Sequence, residues 1–125
     1  MLKKSYKNDF KTLGNKGEEL ASDFLIEKGY KIIDRNFRAA NGEIDIIAID
    51  KKEIVFVEVK TRRNMLYGEA IDAITPIKKK HILNTAKFYL YKNNLRKVPI
   101  RFDIIEVYVY RENQNINHIK NVNLE

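Results

Sequence analysis

Four charged side chains stand in two stretches that otherwise read as the apolar heart of a sheet. Glu43 and Asp45 lie in Gly42-Glu43-Ile44-Asp45-Ile46-Ile47, and Glu58 and Lys60 in Val55-Phe56-Val57-Glu58-Val59-Lys60. The polar quartet Asp50-Lys51-Lys52-Glu53 separates the two stretches, so together they read as a hairpin. A loop centred between Lys51 and Lys52 sets a register in which paired residue numbers add to 103, placing Asp45 opposite Glu58 and Glu43 opposite Lys60. The strand period of two puts all four side chains on one face. Directly opposed carboxylates, with Cβ atoms about 5 Å apart, repel unless a cation or a shared proton offsets them. A divalent ion is the simplest such cation, and oxygen donors without His or Cys favour Mg²⁺ or Mn²⁺ over zinc. An ammonium two residues from a metal-binding carboxylate can orient a water or neutralise a phosphorane-like transition state, and phosphodiester hydrolysis needs those parts. The competing reading is an ordinary surface network of charges, against which the flanking Ile and Val residues weigh.

Helices and strands must hold this cluster. Leu20, Ala21, Phe24 and Leu25 at helical spacing predict a helix over residues 14–28, with Gly29 in the place where helices commonly end. On that helix Glu19, Asp23 and Glu27 face solvent, whereas Glu18 falls about 20° from Leu25, at the border of the packed face. Such a carboxylate is either a rim residue or one aimed into a site. A strand is expected over 30–37, then the hairpin strands over 43–49 and 54–60. Thr75-Pro76 supplies a capping hydroxyl and a first-turn proline for a second helix running to about Asn93. Residues 100–110 are strongly β-prone, and a short last strand is expected over 117–122. The reading is one α/β domain over 1–125, a central mixed sheet flanked by helices, ordered over about 13–112. Residues 1–12 and the Asn-rich stretch 113–123 read as loose ends.

The chain has 125 residues, no cysteine and a net charge of +7. The absence of cysteine removes disulfide, zinc-thiolate and thiol-nucleophile chemistry, and suits a reducing cytoplasm. The charged start has no apolar core of signal-peptide length, and no stretch approaches the roughly 18 apolar residues a membrane span needs. Between Asp72 and Asp103 every charged residue is basic. That asymmetry points to a polyanion, with charge alone not separating DNA from RNA or acidic lipid, or else to a solvated lysine face. Arg62 and Arg63, and Lys78, Lys79 and Lys80 near a helix start, are the candidates for phosphate contacts. His81 and His118 read as surface residues. Tyr67, Tyr89, Tyr91, Tyr108 and Tyr110 read as core or rim residues rather than base-stacking platforms. Gly14-Asn15-Lys16-Gly17-Glu18-Glu19 lacks the spacing and ending of a P-loop, and the closeness of the carboxylates argues against a glycosidase.

Gly14, Gly17-Glu18, Asn36, Gly42-Glu43-Ile44-Asp45 and Phe56-Val57-Glu58-Val59-Lys60-Thr61-Arg62 together resemble the YraN-like family, UPF0102, over roughly residues 14–110. That family is similar to the PD-(D/E)XK nucleases, close to archaeal Holliday junction resolvases. Glu-x-Lys alone is a weak motif; with Gly-Glu-x-Asp upstream and Gly-Glu on a preceding helix it is fairly specific. The resemblance implies a restriction-endonuclease-like fold and Mg²⁺- or Mn²⁺-dependent cleavage of branched or otherwise structured DNA, a task that would suit a homodimer. It implies that Asp45 and Glu58 bind the metal with the carbonyl of Val59, that Lys60 assists the water, and that Glu18 is the helix-borne acid. Ile44 stands where the superfamily's proline precedes the aspartate, a proline that many members lack. The superfamily also holds binding-only branches, so a DNA-binding or recombination accessory module is the alternative.

Overall fold

Among the described residues the apolar periodicities resolve into seven elements: α1 (Asp9–Glu27), β1 (Lys31–Ala39), β2 (Gly42–Asp50), β3 (Glu53–Arg62), α2 (Pro76–Lys92), β4 (Ile100–Tyr110) and β5 (Asn113–Ile119). A computed structural model of the chain describes residues 9–63, 74–110 and 113–125. The expected looseness of residues 1–8 and the position of Tyr67 lie outside these. Residues 9–12, expected to be loose, are the first turn of α1.

The strands form one sheet in the order β1-β2-β3-β4-β5. Neighbours are antiparallel except β3 and β4, which are parallel. A parallel pair needs a crossover, and α2 lies in it. α1 and α2 cover opposite faces. Ala21 and Leu25 of α1 pack with Ile46, Ala48, Val55, Val57, Ile105 and Val107. Ile82, Ala86 and Tyr89 of α2 pack with Ile44, Ile47, Ile54, Phe56 and Ile104. A sheet buried on both faces explains why β2, β3 and β4 read as nearly continuous apolar runs.

Local chemistry sets the element ends. Gly29, at φ 94, closes α1 with bonds from its own N–H to Ile26 and from the Tyr30 N–H to Leu25, the left-handed cap that glycine accepts without cost. Thr75 caps α2 by accepting the Lys78 N–H at 3.1 Å, with Pro76 in the first turn. The hairpin closes at Asp50↔Glu53, so its loop is Lys51-Lys52, with Lys51 at φ 57.

The Asn-rich end is a correction to the sequence reading. Residues 113–119 pair with β4 from Tyr110↔Asn113 to Ile104↔Ile119, and the Val122 N–H reaches the Phe102 carbonyl at 2.7 Å. Asn113, Gln114 and Asn115 are exposed, while Ile116 packs on the α1 face and Ile119, Val122 and Leu124 on the other. An edge strand with so few inward positions looks polar in composition, yet it satisfies the outer hydrogen-bonding edge of β4.

His118 is the second correction. Its side chain is buried, with Nε2 2.8 Å from Asp103 Oδ2 and the ring edge-on to Phe24 and Tyr30. β5 carries it inward, which a reading of the stretch as a loose tail misses. Asp103 also accepts from Arg101 and from the Asn121 N–H, and Arg101 reaches Asp50, Glu53 and the Tyr30 hydroxyl.

Candidate active site

The hairpin register holds from Asp50↔Glu53 to Ile46↔Val57 and goes no further. Ile46 and Ala48 face α1 and Ile47 faces α2, as alternation requires, but Ile44 also faces α2. The period of two therefore fails once, around Asp45. Freed from the ladder, the Asp45 carboxylate accepts the Val59 N–H at 2.8 Å. Asp45 and Glu58 do meet, but through their own side-chain contact and not as a ladder pair. Glu43 does not sit against Lys60; its carboxylate pairs with Arg38 at 2.9 Å.

β1 is distorted at the same place. The pairs Arg35↔Ile46 and Phe37↔Ile44 bracket Asn36 and Asp45, and Asn36 has a left-handed φ of 53 in mid-strand. Asparagine tolerates that conformation better than most residues. Its side chain hydrogen-bonds the Glu18 carboxylate, with Arg35 4.0 Å away. Glu18 is thereby turned to the cleft, and Glu19 stays exposed against Arg35. α1 approaches closely because of Gly17: a Cβ there would lie 1.8 Å from Thr61 Oγ1 and 3.0 Å from Thr61 Cβ.

An open cleft of about 310 Å³ results, lined by Leu13, Gly14, Glu18, Asp45, Glu58, Val59, Lys60, Thr61 and Lys78. All five residues singled out for the chemistry, Glu18, Asp45, Glu58, Val59 and Lys60, meet here. Burial first, and then the Glu58 charge beside it, push the Asp45 carboxyl up to about 8. Burial also raises Glu18, against the opposing pull of Asn36 and Arg35. Lys60 Nζ lies 3.7 Å from Glu58 Oε2.

The basic candidates separate. Arg62 is buried, with Nε 3.1 Å from Glu106 Oε2, so the expected phosphate contact is corrected: its charge is spent on a carboxylate within the sheet. Arg63 and Lys80 are exposed and Lys79 is half-buried. Lys78 goes into the cleft, its Nζ 3.1 Å from Glu58 Oε2. Burial alone would lower the Lys78 ammonium, but the Glu58 charge prevails and raises it. Sequence reasoning put Lys78 among the phosphate contacts and missed its partner, and the turn of α2 that delivers it gives no local signal of where it points. Asn36 was legible only as part of a motif.

The donors available for a cation are the oxygens of Asp45 and Glu58 and the Val59 carbonyl, a hard set that suits Mg²⁺ or Mn²⁺ completed by water and phosphate. Two carboxylates near enough for one to hold its proton at neutral pH are what a divalent cation would relieve. Among the described residues no three His, Cys, Asp or Glu side chains gather into a metal cage of their own. No helix among them is long and apolar enough to cross a membrane.

The sequence signature of the uncharacterised protein family UPF0102 matches residues 17–107, which takes in Glu18, both strands of the hairpin and β4 as far as Val107. A UPF0102 protein of Clostridioides difficile is 47% identical over 111 residues, covering 89% of this chain and 96% of the relative. One from Caldicellulosiruptor saccharolyticus is 46% identical over 111 residues, 87% of this chain and 94% of the relative. One from Geobacter sulfurreducens is 45% identical over 112 residues, 89% and 88% respectively. With a signature across most of its length and such relatives end to end, the chain belongs to UPF0102, the YraN-like family.

Proposed function

We propose that this protein is a metal-dependent endodeoxyribonuclease acting on branched or otherwise structured DNA. The observation that carries the reading is the meeting of Asp45 and Glu58 at a cleft flanked by Lys60 and Lys78. Asp45 and Glu58, with the Val59 carbonyl, would hold one Mg²⁺ or Mn²⁺. Such an ion supplies Lewis acidity and a nucleophilic water at neutral pH. The Val59 N–H fixes the Asp45 carboxylate, so one donor is oriented before any substrate arrives. Lys60 would hold the attacking water or neutralise the phosphorus oxygens as charge develops. Glu18, steered by Asn36, would bind solvent at the edge of the cleft. Arg63, Lys79 and Lys80 would contact phosphates away from the reacting bond. Paired cuts across a junction would suit two copies related by a twofold axis.

Labelled four-way junction, flap, single-stranded and duplex DNA, incubated with protein and Mn²⁺ or chelator, test the reading. Mn²⁺-dependent cleavage is expected, abolished in Asp45→Asn and Glu58→Gln while DNA binding persists. Failure to cut any of the four would overturn it. A second reading, a DNA-binding or recombination accessory module of the same fold, draws on the fact that Lys78 already neutralises Glu58. It expects salt-sensitive binding without cleavage.

A further inference from the structure

Two ammonium groups converge on one oxygen of a nearly buried carboxylate. Lys78 Nζ is 3.1 Å and Lys60 Nζ 3.7 Å from Glu58 Oε2, and the Glu58 side chain is only 9% exposed. The lysines differ in how they are held. Lys60 lies two residues along the same strand as Glu58 and shares its face. Lys78 comes from a separate element whose backbone is anchored by the Thr75 cap and by buried Ile74 and Ile82, while its own side chain is 48% exposed and can swing out. A divalent ion bound to a carboxylate oxygen sits about 2.1 Å from it, so an ion and this ammonium on the same group would stand only a few ångströms apart and repel.

We propose that Lys78 is a built-in counter-ion that occupies Glu58 in the cation-free protein and must release it for a divalent cation to bind, so that lysine and cation exclude one another. The inference rests on the metal-dependent reading of the cleft. It assigns Lys78 to the site itself and separates it from Lys79 and Lys80, and it makes the position of α2 a control on cation affinity.

Mn²⁺ binding to the full-length protein tests this, measured by titration calorimetry and by the paramagnetic signal of unbound Mn²⁺ in wild type, Lys78→Met and Lys80→Met. Methionine keeps the aliphatic stem and removes the charge; Lys80, exposed in the same region of the helix, controls for the general loss of positive charge. Lys78→Gln serves if methionine impairs folding. Lys78→Met should tighten Mn²⁺ binding about tenfold, and Lys80→Met less than about twofold, because an exposed charge is screened. Equal affinities in the two variants would overturn the role of Lys78 and leave the metal-dependent reading standing. Binding to Lys78→Met with none to wild type would uphold the lysine as counter-ion and remove metal dependence from the native protein. No binding in any of the three would overturn both.

Discussion

Asp45 owes its character to two bonds of opposite effect. The Val59 N–H favours its charge, while burial and Glu58 oppose it and win, lifting the carboxyl to about 8 from an ordinary 3.8. A carboxyl whose pKa is higher in the folded than in the unfolded state contributes most to stability below 3.8, and that contribution is lost as the pH rises towards 8. In chelator, the melting temperature of wild type should therefore fall relative to Asp45→Asn across this window. At pH 8 the variant should be the more stable by on the order of 2 kcal/mol, since an asparagine oxygen can still accept the Val59 N–H. Thermal denaturation of both proteins from pH 5 to 8 measures it, and parallel curves would remove the strain assigned to the acid pair.

Among the elements, β1 and β2 are deformed at one level. Asn36 takes a left-handed conformation in mid-strand where Asp45 leaves the ladder with β3. Strained backbone of this kind is held only when the surroundings over-determine it. Here the Glu18 bond and the flanking pairs hold it. Two substitutions separate backbone from side chain. Asn36→Gly keeps the conformation and loses the bond to Glu18, while Asn36→Ala loses both. Alanine should be the less stable variant by about 1 kcal/mol, read from urea midpoints. If the two are equal, the left-handed conformation is not what selects the residue. The hairpin register itself was legible between the loop and the Ile46↔Val57 pair, because Ile and Val alternate there and the loop is short. The departure at Asp45 was not legible, because a failure of alternation depends on the bond between Asp45 and Val59 and leaves no mark in composition.

At the scale of the molecule, two of the polar assemblies among the described residues depend on pH in opposite directions. Arg101, Asp103 and His118 tie β4, β5 and the hairpin turn into one buried network. Burial would raise the Asp103 carboxyl, but the bonds from His118 and Arg101 outweigh it and hold it below the usual carboxylate range. A depressed acid contributes stability above its unfolded pKa and loses it as the pH falls through the folded value. Asp103→Asn should therefore cost about 3 kcal/mol at pH 7, and the gap to wild type should narrow below about pH 4. Guanidinium denaturation at pH 7 and well below pH 4 checks it; a gap independent of pH would mean that packing, not charge, is what the substitution removes. Loss of this network would loosen the sheet edge opposite β1.

The amino-acid sequence by itself determined the element order as far as β4, a sheet flanked by helices, and Glu18, Asp45, Glu58, Val59 and Lys60 as candidates for one site. Apolar periodicity, a glycine cap, a Thr-Pro start and a charged pair in an apolar strand are local or nearly local properties, readable along the chain. Tertiary structure alone decided the partners of the charges. Arg62 and Lys78 are both basic, yet one is buried on Glu106 and the other lies against Glu58. His118 in an Asn-rich stretch becomes a buried partner of Asp103. A charge takes its role from the carboxylate that packing brings within about 3 to 4 Å, and residues far apart in sequence supply that carboxylate.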